Sequence, residues 1–597
     1  MLRCAKLTSR LKACHTAIGV GILLSGFPLN AAQISPADLQ AKFEQQYPIA
    51  VSPSSDLRQI LLKSRTGSTF TLALLDALSG HVQPINQSSQ TQLALTWNPA
   101  GTGLAWLEPV KKGCGFELKF FNRVTGTLTN WPSPKIETAA APLRFSPNGK
   151  RLAFVAGTQL AITTINAETK GTEFWANGIH GGSDFVWIGN DMIALSTNDG
   201  KRSLEVATKT ELTTAAMLPP GTLLKSLAWS ESQQALLASV RKPSTNFDSI
   251  LTFSGRQLKS RAQQVPRELS RDPKGNALRP TWIPGGRKFA YILQSADAQQ
   301  IRINDGKSTV SKLLTEVDGE FEISGATPKK IMVIRSSSES PPTIELFSMT
   351  KENQAAPPRV IAIPRQRNRF PLGITPTSLA LRSSGNQEFF IQHWAAREGQ
   401  NRKAIVWIHG GPNLRESIKW NAEIQEALAL GIDFVQVNYR GSSGYGQDFE
   451  NAGDDNERLN EIEATVRHLE QHRNILPHKI VVVGSSYGGY LAARFAASEK
   501  VSLRGVVLIS PGTFTIPPQQ KFHPPQKSPT MVVFQGANDC IIPLDLGMRV
   551  LSSIFGPVIM QRPENKPKIF LNEGHHFHRT TSRAEVWAAT FNLFNES

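Results

Sequence analysis

Residues 480–497 read Ile480-Val481-Val482-Val483-Gly484-Ser485-Ser486-Tyr487-Gly488-Gly489-Tyr490-Leu491-Ala492-Ala493-Arg494-Phe495-Ala496-Ala497. Four β-formers run into a glycine-framed serine, and a run of good helix formers follows. The pattern predicts a buried strand that turns sharply into a helix with Ser486 at the tip. Such a turn is crowded, so the positions two before and two after the serine must lack side chains, and Gly484 and Gly488 meet that demand. The plainer alternative is a glycine-rich strand-to-helix turn with an idle serine, and the context on both sides argues against it.

A serine hydroxyl is a weak nucleophile at neutral pH and needs a base, which in turn needs an orienting acid. On a strand–turn–helix of this kind the acid and then the histidine follow the serine in the chain, each after a later strand. Pro529 to Phe534 reads as a strand, and Gln535-Gly536-Ala537-Asn538 then leads to Asp539. Lys566 to Leu571 is another, and Asn572-Glu573-Gly574 leads to His575. The expected triad is Ser486 as nucleophile, His575 as base then acid, and Asp539 as its orienting carboxylate. His576, His578, Asp545 and Glu573 are neighbouring rivals; His575 is preferred as the first histidine past strand and turn. The oxyanion should be met by the Tyr487 backbone N–H and by the loop His409-Gly410-Gly411-Pro412. That loop follows the strand Ala404 to Ile408, and Gly410 and Gly411 leave the backbone open to a substrate carbonyl.

Strands at about 388–394, 403–408, 432–438, 479–484, 503–510, 529–535 and 566–572 alternate with helices near 416–429, 455–473, 487–498, 543–553 and 579–594. Alternation of this kind predicts a parallel sheet covered on both faces, an α/β-hydrolase domain over 376–597. In the second helix Leu459, Ile462, Val466 and Leu469 form one apolar stripe.

The preceding part repeats itself. Val51-Ser52-Pro53, Trp97-Asn98-Pro99, Phe145-Ser146-Pro147, Trp187-Ile188-Gly189, Trp229-Ser230-Glu231, Trp282-Ile283-Pro284 and Ala326-Thr327-Pro328 start similar units. Their first positions differ by 46, 48, 42, 42, 53 and 44 residues. A period of this length with short strands in each unit predicts a seven-bladed β-propeller over 33–375. A pair of two-sheet sandwiches would not need such regular spacing. The recurring Trp and Phe are expected to pack between blades rather than bind a ligand. The expected role of the ring is steric: it lies over the hydrolase mouth and admits short or unfolded chains.

The motifs His409-Gly410-Gly411-Pro412, Asn438-Tyr439-Arg440-Gly441-Ser442-Ser443-Gly444-Tyr445-Gly446, Gly484 to Gly489, Asp539-Cys540-Ile541-Ile542-Pro543 and Glu573-Gly574-His575 together resemble the prolyl oligopeptidase family of serine peptidases. The acylaminoacyl-peptidase-like branch is the most similar. The resemblance covers about 376–597 by motif and the rest by architecture, and it implies hydrolysis of short peptides through an acyl-enzyme. The chain departs from the family pattern in three places: Gln535-Gly536 stands where His-Gly is usual, His576 stands where a small residue is usual, and the segment 511–528 is short. Adjacent glutamates of the kind dipeptidyl-peptidase relatives use are missing: Glu339 stands alone and Phe321 separates Glu320 from Glu322. Two other readings use the same residues, an esterase or amidase on non-peptide acyl groups and a decayed hydrolase serving as a binding protein.

Length and composition agree with two domains: 597 residues, 40% hydrophobic and 19% charged. The first 32 residues have a positive start (Arg3, Lys6, Arg10, Lys12), an apolar stretch from Ala17 to Leu29, and Ala31-Ala32 before Gln33. They read as a secretory signal rather than a spanning helix, and export to a periplasm or the exterior is expected. Loss of those four cations takes the net charge from +17 to +13. The excess is dispersed without aromatic interleaving, which argues against nucleic-acid binding. Peptides are the expected partner. No cysteine–histidine–acid cluster has metal spacing, and no cofactor is expected. Cys114 and Cys540, one in each domain, could form a bond clamping the propeller to the acid loop, but two unpaired buried thiols are the expectation.

Overall fold

The computed structural model describes residues 33–595, apart from 44–49, 67, 111–112, 137–141, 166–170, 178, 180–183, 197–202, 297, 318, 350–356, 362–373, 398–401, 514–524 and 526–529. The leader-like segment 1–32, most of the short 511–528 stretch and most of 358–376, where the sequence would divide the two domains, lie outside the described residues.

Seven four-stranded antiparallel sheets follow one another between Ala50 and Ile361. Within each the strand order follows the chain, and the first strands of successive sheets touch one another, so they ring the propeller axis. All seven sequence starts fall on these first strands or at their ends. The recurring tryptophans pack as expected and add a hydrogen bond. Trp97 Nε1 donates to the Ser52 carbonyl (2.7 Å), Trp187 Nε1 to Arg144 (2.9 Å) and Trp282 Nε1 to Ala228 (3.0 Å). Each bond reaches from one blade to the one before. The ring closes by apolar packing of the first blade on the last: Leu57, Ile60, Leu62 and Leu75 lie against Met332, Ile344 and Leu346.

The hydrolase sheet has eight strands: β1 (Thr377–Arg382), β2 (Glu388–Trp394), β3 (Lys403–Ile408), β4 (Ile432–Asn438), β5 (Ile480–Ser485), β6 (Gly505–Ile509), β7 (Met531–Gly536) and β8 (Lys568–Phe570). Their spatial order is β1-β2-β4-β3-β5-β6-β7-β8. The expectation of a fully parallel sheet needs correction. β2 pairs antiparallel with both β1 and β4, because only a short turn separates β1 from β2 and no crossover helix can fit there. From β4 to β8 the pairing is parallel.

Helices cover both faces. Asp455–Arg473, Tyr487–Ala497 and Leu544–Phe555 pack on one, with Leu459, Ile462, Val466 and Leu469 all buried. Asp454 and Glu457 close a capping box at the start of the first of these, and Asn474 ends it in the left-handed conformation. Ala422–Ala429, Thr580–Asn592 and the leading helix Pro36–Phe43 cover the other face. Although the sequence division assigns residues 33–43 to the propeller, Leu39 and Phe43 are buried in the hydrolase core. The Ile34 backbone exchanges hydrogen bonds of 2.8 and 2.9 Å with the Asn592 carboxamide.

The two halves are fastened by polar contacts on several blades. Arg65 donates to the His578 carbonyl, Arg579 to Ser89 (2.9 Å) and Arg415 to Ser295 (3.3 Å), while Arg241 pairs with Glu450. A covalent strap joins them too. Cys114 and Cys540 form a disulfide, which corrects the expectation of two buried thiols. Both residues are exposed, on propeller and hydrolase loops that meet; the Gly113 N–H donates to Asn538 Oδ1 (3.3 Å) beside the bond. The bond is the clamp that the sequence offered as the alternative to free thiols, and it spans 426 residues of chain.

Candidate active site

β5 ends at Ser485 and the next residue, Ser486, adopts φ 55°, ψ −124° before the helix begins at Tyr487. That conformation is strained for a side chain bearing Cβ and is held by its surroundings. The Ser486 N–H donates to the Ile509 carbonyl (2.8 Å), and its carbonyl accepts from Gly512 (3.1 Å) and Tyr490 (3.1 Å). The flanking glycines are needed for space. A Cβ on Gly484 would sit 2.2 Å from the Gly488 carbonyl oxygen, and one on Gly488 would sit 2.1 Å from that of Ile408.

The loop after β7 brings Asp539 to the same carboxyl edge of the sheet, and the loop after β8 brings His575. Asp539 Oδ2 lies 2.8 Å from His575 Nδ1, and both residues are buried. The carboxylate is fully engaged. Oδ1 accepts from the Ile541 and Ile542 N–H groups (3.0 and 2.8 Å), and Oδ2 also accepts from Gln535 Nε2 (2.9 Å). Gln535, the departure noted in the sequence, therefore spans from this carboxylate to the Ile542 carbonyl (2.9 Å). With a carboxylate oxygen facing Nδ1, a neutral imidazole carries its proton on Nδ1 and leaves Nε2 free.

The rivals are occupied elsewhere. Glu573 accepts from the backbone N–H groups of His578 (3.0 Å) and Arg579 (2.9 Å), and Asp545 pairs with Arg549 on the surface. His576 is exposed and touches His575 edge-on. Among the described residues the Ser486 hydroxyl has no hydrogen-bond partner: the structure joins His575 to Asp539 and sets Ser486 at the elbow without a bond to the pair.

The other loop lies against the serine. A Cβ on Gly410 would stand 3.1 Å from Ser486 Cβ and 3.6 Å from its Oγ, and Gly411 has φ +122°. Sequence reasoning did not assign what holds this loop. His409, fully buried, places Nδ1 2.7 Å from the Gly410 carbonyl and Nε2 2.8 Å from Ser442 Oγ. Burial pushes the His409 pKa down to about 4, so the ring is neutral, and bonding to a carbonyl requires the proton on Nδ1. Tyr439 donates to the His409 carbonyl (2.9 Å). Both residues belong to motifs quoted from the sequence, but their roles depend on packing.

A cavity of about 370 Å³ lies between the sixth and seventh blades and the continuation of the Gly410–Gly411 loop, with Arg279, Glu320, Glu322, Lys419 and Trp420 in its wall. Among the described residues no group of three His, Cys, Asp or Glu side chains is arranged to hold a metal ion. No described helix is long and apolar enough to cross a membrane.

A propeller set over an α/β-hydrolase, with a serine elbow and a buried His–Asp pair on one sheet edge, defines a class of architecture. Comparison with known proteins places the chain within it. Residues 417–511 match the prolyl oligopeptidase family, the family its motifs resemble. The uncharacterized peptidase YuxL of Bacillus subtilis is 34% identical over 104 residues, 16% of each chain. Acylamino-acid-releasing enzyme 1 of Oryza sativa subsp. japonica is 26% identical over 121 residues, 20% of this chain and 14% of that one. The matched stretches thus span about a sixth or less of these relatives' length. A solved structure from work on two prolyl endopeptidases superposes with a TM-score of 0.75, covering 95% of this chain and 92% of that one at 12% identity, which is a likeness of fold.

Proposed function

We propose that this chain is an exported serine peptidase that hydrolyses short peptides through an acyl-enzyme. Ser486 Oγ attacks the scissile carbonyl while His575 Nε2 takes its proton, and Asp539 holds the ring and stabilises the imidazolium. The oxyanion accepts from the Tyr487 N–H and from the Gly410–Gly411 loop. His575 then gives the proton to the departing amine, and water repeats the sequence on the acyl group. The observation that carries the reading is the buried His575–Asp539 pair at 2.8 Å on the sheet edge where Ser486 stands in its strained turn. The propeller over the sheet supports short or unfolded substrates, and the peptidases among the similar proteins support peptide substrates. An exposed disulfide supports an oxidising compartment, in line with the leader-like residues 1–32 and with a mature chain divided at about 375/376.

The test is fluorophosphonate labelling followed by hydrolysis of a peptide library and a panel of esters. Wild type should carry the adduct on Ser486 and cleave peptides, and Ser486→Ala should lose about three or more decades of rate with its fold unchanged. A folded protein that takes no adduct would turn the assignment to a binding protein. Labelling with ester turnover alone would turn it to an esterase.

A further inference from the structure

We propose that Arg458 is a positioning residue of the oxyanion hole, fastening its two halves together through the rings of Tyr439 and Tyr487. The inference rests on the peptidase reading above.

The two halves come from distant parts of the chain, the loop after β3 and the first turn of the helix after β5. Their N–H groups must nonetheless point at one oxygen. The loop is set through its carbonyls. The Tyr439 hydroxyl donates to the His409 carbonyl (2.9 Å) and lies 3.3 Å from that of Gly410, which His409 Nδ1 also binds at 2.7 Å. In a trans peptide the N–H points opposite to the carbonyl. With these carbonyls anchored inward on Tyr439 and His409, the Gly410 and Gly411 N–H groups are turned the other way, outward from the protein core.

The second half is set by the Tyr487 side chain. Its hydroxyl donates to Asp455 and accepts from Arg458 Nη1 (2.7 Å). Burial raises the pKa of both tyrosines above the usual value, so each remains a hydroxyl donor throughout the neutral range.

Arg458 stands between them. Its guanidinium carbon is 5.9 Å from the Tyr439 ring centroid and 5.6 Å from that of Tyr487, within cation–π range of both. Its Nε donates to the Arg440 carbonyl (2.8 Å), next to Tyr439, and the side chain is buried. Asp455, Arg458 and Glu461 fall at three-residue steps on one face of their helix. Glu461 binds the Arg440 backbone N–H (2.9 Å) and its Nε (2.6 Å). One helical face therefore grips the Tyr439–Arg440 turn and the start of the nucleophile helix at once. A lysine could supply charge but not the fork that lies near two rings while donating to a carbonyl and a hydroxyl.

The test uses the full chain and a peptide that wild type cleaves. Arg458→Lys, Arg458→Met and Tyr439→Phe should each lower kcat about 10–100-fold, since losing one oxyanion donor costs 10²–10³ and misplacing it costs less. KM should change by less than about threefold, because ground-state binding does not use the hole. Affinity for a peptide aldehyde, whose adduct carries the oxyanion, should fall in parallel with kcat/KM. Arg458→Met combined with Tyr439→Phe should cost little more than the larger single change. If Arg458→Met fails to fold, Tyr439→Phe, which removes only the hydroxyl, carries the test. Folded variants with unchanged kcat and aldehyde affinity, while wild type takes the fluorophosphonate, overturn this proposal alone. Wild type that takes no adduct and cleaves nothing overturns the peptidase reading, and this one with it.

Discussion

Cutting the Cys114–Cys540 strap is the perturbation whose size can be worked from the structure most directly. The bond closes a span of 426 residues. In the chain-entropy account a closed loop of 100 residues is worth about 4.7 kcal/mol and the value grows with the logarithm of length, giving about 6 kcal/mol here. That is an upper bound. A denatured two-domain chain stays partly compact, and its halves need not unfold together, so about 2–4 kcal/mol is the expected loss for Cys114→Ser. With an unfolding entropy of about 2.1 cal/mol/K per residue, the whole chain changes by about 1.25 kcal/mol per degree, and the midpoint should fall by about 1.5–3 °C. Calorimetry of wild type, Cys114→Ser and wild type treated with a dithiol checks this. The dithiol should lower wild type to the variant's midpoint and leave the variant unmoved. Peptide turnover should drop by less than about tenfold, because Asp539, next to Cys540, is held independently by Ile541, Ile542 and Gln535. Two free thiols in the unreduced protein, or a midpoint shift under about 0.5 °C, would refute the reasoning.

Gly488→Ala should destabilise the hydrolase domain by more than about 4 kcal/mol, since its Cβ would meet the Ile408 and His409 carbonyl oxygens at 2.1 and 2.4 Å and neither can retreat without breaking β3. Gly286→Ala, with nothing within 4 Å of its Cβ, should change the urea midpoint hardly at all, and equal effects of the two would sink the steric account. Acid should weaken the fold. Burial lowers His409 and His468 to about 4 and His578 to about 3, below the usual 6.5, so between about pH 6.5 and 4 the unfolded chain binds protons that the native one does not. Their contribution is complete above pH 6.5 and is lost as pH falls. His468 is partly exposed and counts for less, and Glu416, Glu461 and Glu573, whose pKa values desolvation raises, act in the opposite sense. A net loss of a few kcal/mol from pH 7 to 4.5 is expected in urea titrations, and stability rising over that range would contradict it.

What was legible in the sequence, and what was not, divides by the distance over which the cause acts. The elbow could be read because its requirement is local: Gly484 and Gly488 are fixed by backbone oxygens within a few residues or on the adjoining strand. The blades could be read because seven units repeat one solution to burying a sheet face, and tryptophans mark the same place in four of them. β1 and the antiparallel course of β2 were missed because β1 is an edge strand with mixed exposure, Thr377 to Arg382, which carries no apolar run. The docking of 36–43 on the last helix and the Cys114–Cys540 bond join positions hundreds of residues apart, and no spacing rule reports such meetings.

Gln535 shows how a departure from pattern changes meaning once geometry is known. In the sequence it counted against a working hydrolase, because the family pattern has a different residue there. In the structure its carboxamide bridges Asp539 Oδ2 and the Ile542 carbonyl, at 2.9 Å each, and so ties the acid to the backbone of its own loop. A glutamine can do this in a site that is 2% exposed because it brings a donor without a charge that burial would penalise. The same logic runs through the rest of the site. His409 is neutral, Tyr439 and Tyr487 remain hydroxyls, and the buried cation Arg458 lies 5.9 and 5.6 Å from two ring centroids, donates to a carbonyl and a hydroxyl, and has the Asp455 carboxylate 3.6 Å away. Beside the serine, then, the polarity of Gln535, His409, Tyr439 and Tyr487 is buried without a net charge on the group itself, and each is held by named hydrogen bonds.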